Sequence, residues 1–258
     1  MQNRLRTAAV VLAAFITTPL YAQTTIAGPA GGKAVLQDIP YPEPGYATEI
    51  TRSLVPPNGR AALHSHPGIE SGYIVRGGGV LHVQGLPDRT MRPGDSTVVP
   101  PDTPHWFVNG DQLTEIVSTY VLERGKPQMR KLDTAPAGPA PGPVPSHAPA
   151  ASDAGKGQTL LQSVAYPGPG HYTRITRTEV PPNGRAPRHD HPGIETTYLL
   201  SGSVTLSVEG QPDREVHAGQ SFAIAPYTAH TIANGPAPAE LLSTYVLEDG
   251  KPVMHVLK

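Results

Sequence analysis

Two histidines and a glutamate lie close together in the first half of the chain, with spacing that suits metal binding. His64 and His66 are two residues apart, so on a β-strand both imidazole rings would project from the same face. A proline-glycine turn signal follows, and Glu70 begins the next apolar run. His105 comes after another turn-forming stretch, 35 residues beyond Glu70. These spacings predict three imidazoles and one carboxylate that converge on one metal ion.

This donor set indicates which metals and which chemistry to expect. Three neutral imidazoles and one carboxylate suit Fe(II), Mn(II), Ni(II) or Co(II), with Cu(II) and Zn(II) as competitors. The chain contains no cysteine, so no thiolate selects zinc as a structural ion. Four protein ligands leave coordination positions open on an octahedral divalent ion. A substrate could bind there through an enolate, a diol or a carboxylate, or through one atom beside dioxygen.

The same donors recur in the second half of the chain. The second set lies 125 residues further along and comprises His189, His191, Glu195 and His230. The flanking sequence repeats with the same offset, since Val-Pro-Pro-Asn-Gly-Arg occurs at residues 55–60 and again at 180–185. A lone His-x-His pair is better explained by hydrogen bonding within a barrel. Two complete sets at one spacing instead predict a metal site in each half of a duplicated domain.

The motifs resemble those of the cupin superfamily. The family's first motif places a glycine before His-x-His, then a glutamate and another glycine, and the matching residues here are Asn58, His64, His66, Glu70 and Gly77. Its second motif is matched by Gly94, Pro100, Asp102, His105 and Asn109. Asn58 and Asp102 replace glycines, and both residue types tolerate positive φ, so we expect these turns to form. The resemblance implies an all-β bicupin: two tandem jelly-roll β-barrels (double-stranded β-helices), closest in motif to cupin_2-type metal-binding barrels.

Composition and the placement of turn-forming residues define the expected domains. The chain has 27 glycines and 31 prolines and almost no helix-period apolar run, which is typical of short strands joined by turns. We place one cupin domain at residues 34–132 and the other at residues 158–258. Residues 133–157 are rich in proline and alanine and predict a linker that spans at least about 25–30 Å. We therefore expect the barrels to pack as an intramolecular pseudo-dimer, with further homo-oligomerisation left open.

The N-terminal residues 1–22 have the pattern of a signal peptide. Arg4 and Arg6 precede a short apolar run, and Ala22 ends a plausible cleavage site. We expect a periplasmic or secreted protein that has no membrane contact after cleavage. The alternative is an uncleaved anchor or a first helix. The net charge of −1 gives no reason to expect nucleic acid as a partner.

The resemblance leaves several functions open. Cupins with this ligand set include dioxygenases, decarboxylases and non-catalytic binders. Our first hypothesis is a quercetinase-like dioxygenase that acts on a small chelating molecule, with Glu70 or Glu195 as the catalytic base. The alternatives are a periplasmic module that binds metal or a small molecule, and a small-carboxylate decarboxylase. The decarboxylase needs a protonatable lid residue, and no long loop between the motifs offers one.

The two halves differ at positions close to the predicted ligands. Gly72 in the first half corresponds to Thr197 in the second, and the smaller residue leaves room for a planar ligand beside Phe107. In the second half, Tyr227 stands where the motif has a glycine, which predicts a different turn and a less well placed His230. We therefore expect the first barrel to be the working site. Arg60 and Arg185 recur in both halves, and we interpret them as members of structural salt bridges rather than as substrate contacts.

Overall fold

A computed structural model describes residues 32–42, 45–137, 142–147 and 157–258. The predicted signal peptide and part of the predicted linker lie outside these residues. All regular elements of the described chain are β-strands, so it contains no helix long and apolar enough to cross a membrane. The first-half strands are Gly32–Ile39 (β1), Tyr46–Val55 (β2), Arg60–Ser65 (β3), Gly68–Arg76 (β4), Gly79–Val83 (β5), Arg89–Met91 (β6), Ser96–Val99 (β7), His105–Asn109 (β8), Thr114–Glu123 (β9) and Arg130–Lys131 (β10). The second-half strands are Gln158–Val164 (β11), His171–Val180 (β12), His189–Asp190 (β13), Gly193–Ser201 (β14), Ser203–Val208 (β15), Arg214–His217 (β16), Ser221–Ile224 (β17), His230–Asn234 (β18), Ala239–Glu248 (β19) and His255–Val256 (β20).

Each half folds into two antiparallel sheets. The first half has the strand orders β1-β2-β9-β4-β7 and β10-β3-β8-β5-β6, and the second has β11-β12-β19-β14-β17 and β16-β15-β18-β13-β20. In each half the side chains between the sheets form an apolar core, as in other double-sheet jelly rolls. The all-β, two-barrel fold expected from the sequence is confirmed.

A close approach of two strands explains the glycine that follows His66. A Cβ atom on Gly68 would lie 2.0 Å from the carbonyl oxygen of Val121 on β9. A Cβ atom on Gly193 would likewise lie 2.0 Å from the carbonyl oxygen of Val246 on β19. Only glycine permits this contact, which fixes the start of β4 or β14 next to the turn that carries the second histidine.

The motif turns at Asn58 and Asp102 have the left-handed backbone that the sequence predicts, and the turn at Tyr227 has it too, against our expectation. Asn58 and Asp102 have φ angles of 57° and 56°. Tyr227 also has a φ of 56°, and its N–H donates to the His191 carbonyl at 2.8 Å, just as the Asp102 N–H donates to His66 at 2.7 Å. The expected change of turn shape is therefore wrong. The Tyr227 hydroxyl donates to Glu248 at 2.7 Å, and such contacts offset a backbone cost of about 1–2 kcal/mol.

The two barrels share a buried interface. One apolar cluster takes residues from both halves, including the corresponding tyrosines Tyr73 and Tyr198. β1 pairs with β2 in its own sheet, and its Gln37 side chain donates to the Ser221 hydroxyl on β17 of the other barrel at 3.1 Å. The packing agrees with the expected intramolecular pseudo-dimer.

Part of the predicted linker is packed against the second barrel. Val144 joins an apolar cluster at the barrel interface, and the His147 N–H donates to the Ser163 carbonyl at 3.0 Å. The His147 ring stacks on Tyr172 with a centroid distance of 3.7 Å. Residues 142–147 therefore follow the edge of β11 and do not form a free coil.

Candidate metal centres

Strands from both sheets of the first barrel bring the four predicted ligands together. His64 lies near the end of β3, and His66 lies in the turn to β4. Glu70 comes from β4 in the facing sheet, and His105 begins β8, where it pairs with His64. One ligand atom from each of these residues lies within 4.8 Å of the others. The His-x-His strand and the neighbouring second-motif strand thus meet at one point inside the barrel.

Backbone contacts fix the tautomer of all three histidines. The Nδ1 atoms donate to backbone carbonyls of Ala62, Gln128 and Thr103, at 2.6, 2.5 and 2.9 Å respectively. In the neutral ring each Nε2 atom therefore directs its lone pair toward the centre. Such contacts orient metal-binding histidines and raise their basicity.

One carboxylate oxygen of Glu70 faces the metal centre, and the other accepts hydrogen bonds from the protein. Oε2 of Glu70 lies 3.0 Å from His105 Nε2 and 3.2 Å from His66 Nε2. Oε1 accepts hydrogen bonds from the Ser118 and Tyr120 hydroxyls, both at 2.9 Å. Burial alone would raise the pKa of Glu70, but its contacts with His105 and His66 hold the pKa well below the usual value. The carboxylate is therefore ionised and oriented.

This arrangement fits a bound cation. His66 Nε2 is buried without a hydrogen-bond partner, although it faces a carboxylate oxygen. Without a cation, short contacts with Glu70 favour a proton on the imidazole, since burial alone would lower the pKa of His105 but the contact with Glu70 raises it. A divalent ion can take the place of such a proton. Burial lowers the pKa of His64 to about 4, which keeps this ring neutral and able to donate its lone pair. A divalent ion satisfies all four donors at once.

The second barrel repeats this geometry closely. Its cluster comprises His189, His191, Glu195 and His230. The Nδ1 atoms again donate to backbone carbonyls, and His191 Nε2 again has no hydrogen-bond partner. The His230–Glu195 distance is 3.1 Å, against 3.0 Å for His105–Glu70. The expectation of a less well placed His230 is therefore wrong.

The surroundings of the two centres differ more than the centres themselves. A cavity of about 460 Å³ opens onto His64, Glu70 and His105 in the first barrel. Gly72 and Phe107 line it, as the sequence predicted. The rest of the lining is mostly apolar and includes Leu54, Val55, Ile74, Leu81, Met91, Val99, Ile116 and Met129.

Larger side chains stand beside the second carboxylate. Gly72 pairs with Thr97 across β4 and β7, whereas the corresponding pair in the second barrel is Thr197 and Phe222. Thr197 donates to Glu195 Oε1 at 2.7 Å, and Phe222 is only 1% exposed. The Glu195 side chain is 8% exposed, against 15% for Glu70. The first centre is therefore the more accessible one.

Sequence reasoning missed a lysine in the first cavity. Lys33 on β1 donates to Gln128 at 2.8 Å and to the Tyr120 hydroxyl at 3.3 Å, and its ammonium lies 4.4 Å from the centre of the Tyr120 ring. Burial lowers the pKa of Lys33, and the charges of Glu70 and Glu49 oppose this shift. The repeat could have drawn attention to Lys33, because the corresponding residue at the start of the matching strand in the second half is the uncharged Gln158.

The structure also changes the interpretation of Arg60. No ion pair joins Arg60 or Arg185 to a carboxylate among the described residues, so the expected structural salt bridges are wrong. Arg60 instead lines the first cavity.

Sequence reasoning also missed Ser118 and Tyr120, which donate to the Glu70 carboxylate, although their Ser-Thr-Tyr-Val-Leu-Glu sequence recurs at residues 243–248.

A family model for the cupin domain matches the chain at residues 51–120 and again at residues 176–245. No curated protein matches significantly. AerE from Microcystis aeruginosa has a TM-score of 0.59 and 16% identity, covering 89% of this chain and 98% of its own. Lactobacillus farciminis oxalate decarboxylase in a formate complex has a TM-score of 0.57 and 14% identity, covering 84% of this chain and 85% of its own. The 11S globulin from Wrightia tinctoria has a TM-score of 0.62 and 14% identity, covering 93% of this chain and 85% of its own. Identities this low show a common fold.

Proposed function

Because the chain belongs to the cupin family, with one cupin domain in each half, we propose that it is a dioxygenase-like oxidoreductase. Its substrate is a small chelating organic molecule that binds in the first barrel. The observation that carries this proposal is the cavity of about 460 Å³ that leads to His64, Glu70 and His105. Its size lies within the range of small-molecule sites, and a mostly apolar wall with a few converging polar groups is typical of them.

His64, His66, Glu70 and His105 would hold a divalent ion, which would supply open coordination positions and, if redox-active, chemistry with dioxygen. The protein's part is to hold this ligand set and to shape the space above it. Ser118 and Tyr120 fix the free oxygen of Glu70. The apolar lining excludes water from the substrate, which strengthens electrostatic contacts within the cavity.

The predicted role of Glu70 as a base requires that its carboxylate leave these contacts. Oε1 accepts from both hydroxyls, and Oε2 faces the metal position, so neither oxygen is free in this arrangement. Lys33 is a further titratable group in the cavity beyond the metal ligands. A charged group that can orient a substrate beside open coordination positions supports an enzyme over a module that only binds metal or a small molecule.

Small-carboxylate decarboxylation is the weaker alternative. Oxalate decarboxylases share the fold, but at 14% identity this similarity carries no information on the reaction. Among the residues that line the cavity, Glu70 is the sole carboxylic acid. The apolar part of the cavity lining is also larger than the surface that a small dicarboxylate could contact.

Oxygen uptake with defined metals tests the proposal. Protein purified without chelators is analysed for metal, reconstituted separately with Fe, Mn, Ni, Co, Cu or Zn, and assayed with diols and flavonols. We expect uptake that Glu70→Ala abolishes and Glu195→Ala largely retains. Loss with Glu195→Ala alone would reverse the assignment of the working barrel. Substrate binding without uptake for any metal would favour the binding module.

We also propose export through residues 1–22, on the pattern of charged, apolar and small residues there. Mass spectrometry of protein from the periplasm or medium should find a mature N-terminus at Gln23. A cytoplasmic protein that keeps Met1–Ala22 contradicts export. Folding after export would expose the sites to Cu and Zn, which bind such ligands tightly, so we expect mixed metal occupancy.

A further inference from the structure

The charged side chains around the first cavity are unevenly distributed. Apart from the ligand Glu70, the charged residues that line it are Lys33, Arg60 and Lys131, and all three are basic. The neutral lining is mostly apolar. The cavity therefore combines a positive potential with a surface that favours an apolar body.

Lys33 lies at the cavity wall, close to a metal ligand. Its ammonium contacts the Tyr120 hydroxyl, and this hydroxyl donates to Glu70, so Lys33 lies two hydrogen-bond steps from a metal ligand. Its other side-chain contact is neutral Gln128. No carboxylate of the described residues forms an ion pair with Lys33. Lys33 is exposed, and its ammonium lies on the cavity lining, where it has neutral hydrogen-bond partners and Glu49 as a nearby charge. An anion that enters the cavity can therefore reach it.

The second barrel lacks two of these three basic groups. Gln158 stands at the position of Lys33, and Val256 stands at the position of Lys131, whereas Arg185 matches Arg60. The metal clusters are otherwise alike. The second barrel instead has Arg174 at the position of Glu49, where it is 1% exposed and donates to Gln158 at 3.4 Å. Its additional positive charge is therefore buried in the protein, whereas Lys33 and Lys131 line the cavity of the first barrel.

The shape of the cavity favours a flat ligand. Gly72 leaves the wall beside Glu70 without a side chain, and a Cβ atom there would lie 3.4 Å from Thr97 Cγ2. Phe107 on the neighbouring sheet contributes an aromatic ring to the lining. An aromatic ring system can pack against Phe107, Ile74 and Leu81.

We propose that the first barrel binds an aromatic carboxylate, with the carboxylate held between Lys33 and the metal centre and the ring against Phe107. This inference rests on the proposed function and deepens it by naming the substrate class. Arg60 and Lys131 add to the positive potential at the cavity and raise the rate of capture.

Calorimetric binding of 2-naphthoate and its neutral isostere 2-naphthamide tests the inference on the metal-containing protein. We expect the carboxylate to bind at least about tenfold more tightly, because charge-assisted hydrogen bonds are worth more than neutral ones. Lys33→Gln introduces the residue of the second barrel and should reduce this preference severalfold, leaving the part that the metal centre provides, with a smaller effect on naphthamide binding. Gln158→Lys is the matched control and should change neither affinity. Equal affinities in the native protein, or a preference of the same size in Lys33→Gln, would overturn the proposal.

A second variant tests the location of the ring. Gly72→Thr combined with Thr97→Phe copies the Thr197–Phe222 pair and should abolish binding of both probes at unchanged metal content. The reverse double change at residues 197 and 222 should leave both affinities unchanged. Naphthoate that still binds the filled first barrel would place the ligand elsewhere and contradict the proposal.

The binding assay is independent of turnover. Naphthoate that binds through Lys33 without any oxygen uptake would refute the oxidoreductase and leave the ligand class standing. Oxygen uptake on neutral diols, with no preference for naphthoate over naphthamide, would refute the ligand class and leave the oxidoreductase standing.

Discussion

The hydroxyls of Thr119 and Thr244 lie 2.9 Å apart, although the two residues are separated by 125 positions in the chain. They are the same position in the two copies of the repeat. Equivalent residues of two copies contact each other near an axis of approximate twofold symmetry, so these hydroxyls lie close to such an axis. The duplicated barrels therefore pack as a symmetric dimer would, within one chain.

The apolar interface around this axis should make the barrels unfold together. Ile69, Val121, Ile194 and Val246 belong to one cluster from both halves and are all 0% exposed. We expect one cooperative transition in calorimetry. Ile194→Ala should destabilise the whole protein by about 2–5 kcal/mol, because it leaves a cavity in this cluster.

The control is Leu86→Ala, since Leu86 is 62% exposed and should change stability by less than about 0.5 kcal/mol. Two separate transitions, with Ile194→Ala acting on only one of them, would show that the barrels are energetically independent.

An ionic network across the interface should make stability depend on pH. Glu115 accepts from Arg52 at 2.7 Å and from Arg76 at 2.9 Å, and Tyr198 of the other barrel donates to it at 2.9 Å. Burial would raise the pKa of Glu115, but the bonds from Arg52 and Tyr198 outweigh it and lower the pKa. A lowered carboxyl pKa stabilises the fold above the unfolded-state value of about 4.3, and this contribution is lost as the pH falls through the lowered pKa.

Glu115→Gln should therefore reduce the free energy of unfolding by about 1–3 kcal/mol at pH 7, and by much less near pH 3. Urea unfolding at both pH values measures the difference. Glu240→Gln is the matched control, because Ser201 replaces Arg76 in the second barrel and leaves Glu240 with fewer partners. If both variants lost the same free energy of unfolding at both pH values, the loss would reflect general packing and not the ionic network.

The local motifs predicted the parts of the site that are close in sequence. The His-x-His pair, the turn and Glu70 follow one another within a few residues, and the repeat fixed the second set. The left-handed turns at Asn58 and Asp102 followed from residue type alone. Tyr227 shows the limit of such reasoning, because its hydrogen bonds with Glu248 and Lys251 outweigh its backbone preference.

The parts that sequence reasoning missed come from strands far apart in the chain. Lys33 lies on β1, and its partners Tyr120 and Gln128 come from β9 and from the segment that follows it. The size of the cavity depends on the cross-strand pair Gly72–Thr97, of which only the first member drew attention. No local spacing rule links these residues, since only the strand order of the sheets brings them together.

The partners of the two carboxylates predict different effects of the same mutation on metal affinity. The Tyr120 hydroxyl lies 2.9 Å from Glu70 Oε1, whereas the Tyr245 hydroxyl lies 3.5 Å from Glu195 Oε1. In the second barrel Thr197 provides the short bond, at 2.7 Å. Tyr120→Phe should weaken metal binding in the first barrel by about 10-fold or more, the usual effect of losing a hydrogen bond to a ligand. Tyr245→Phe should have a much smaller effect in the second.

Metal titration in single-site backgrounds measures each effect, with Glu195→Ala isolating the first centre and Glu70→Ala isolating the second. Thr197→Val tests the second barrel's own partner and should weaken its metal binding as strongly as Tyr120→Phe weakens that of the first, because each change removes a short bond to the free carboxylate oxygen. A larger loss with Tyr245→Phe than with Thr197→Val would mean that the tyrosine orients the carboxylate in both barrels. The hydrogen-bond lengths would then be a poor guide to which residue orients the glutamate.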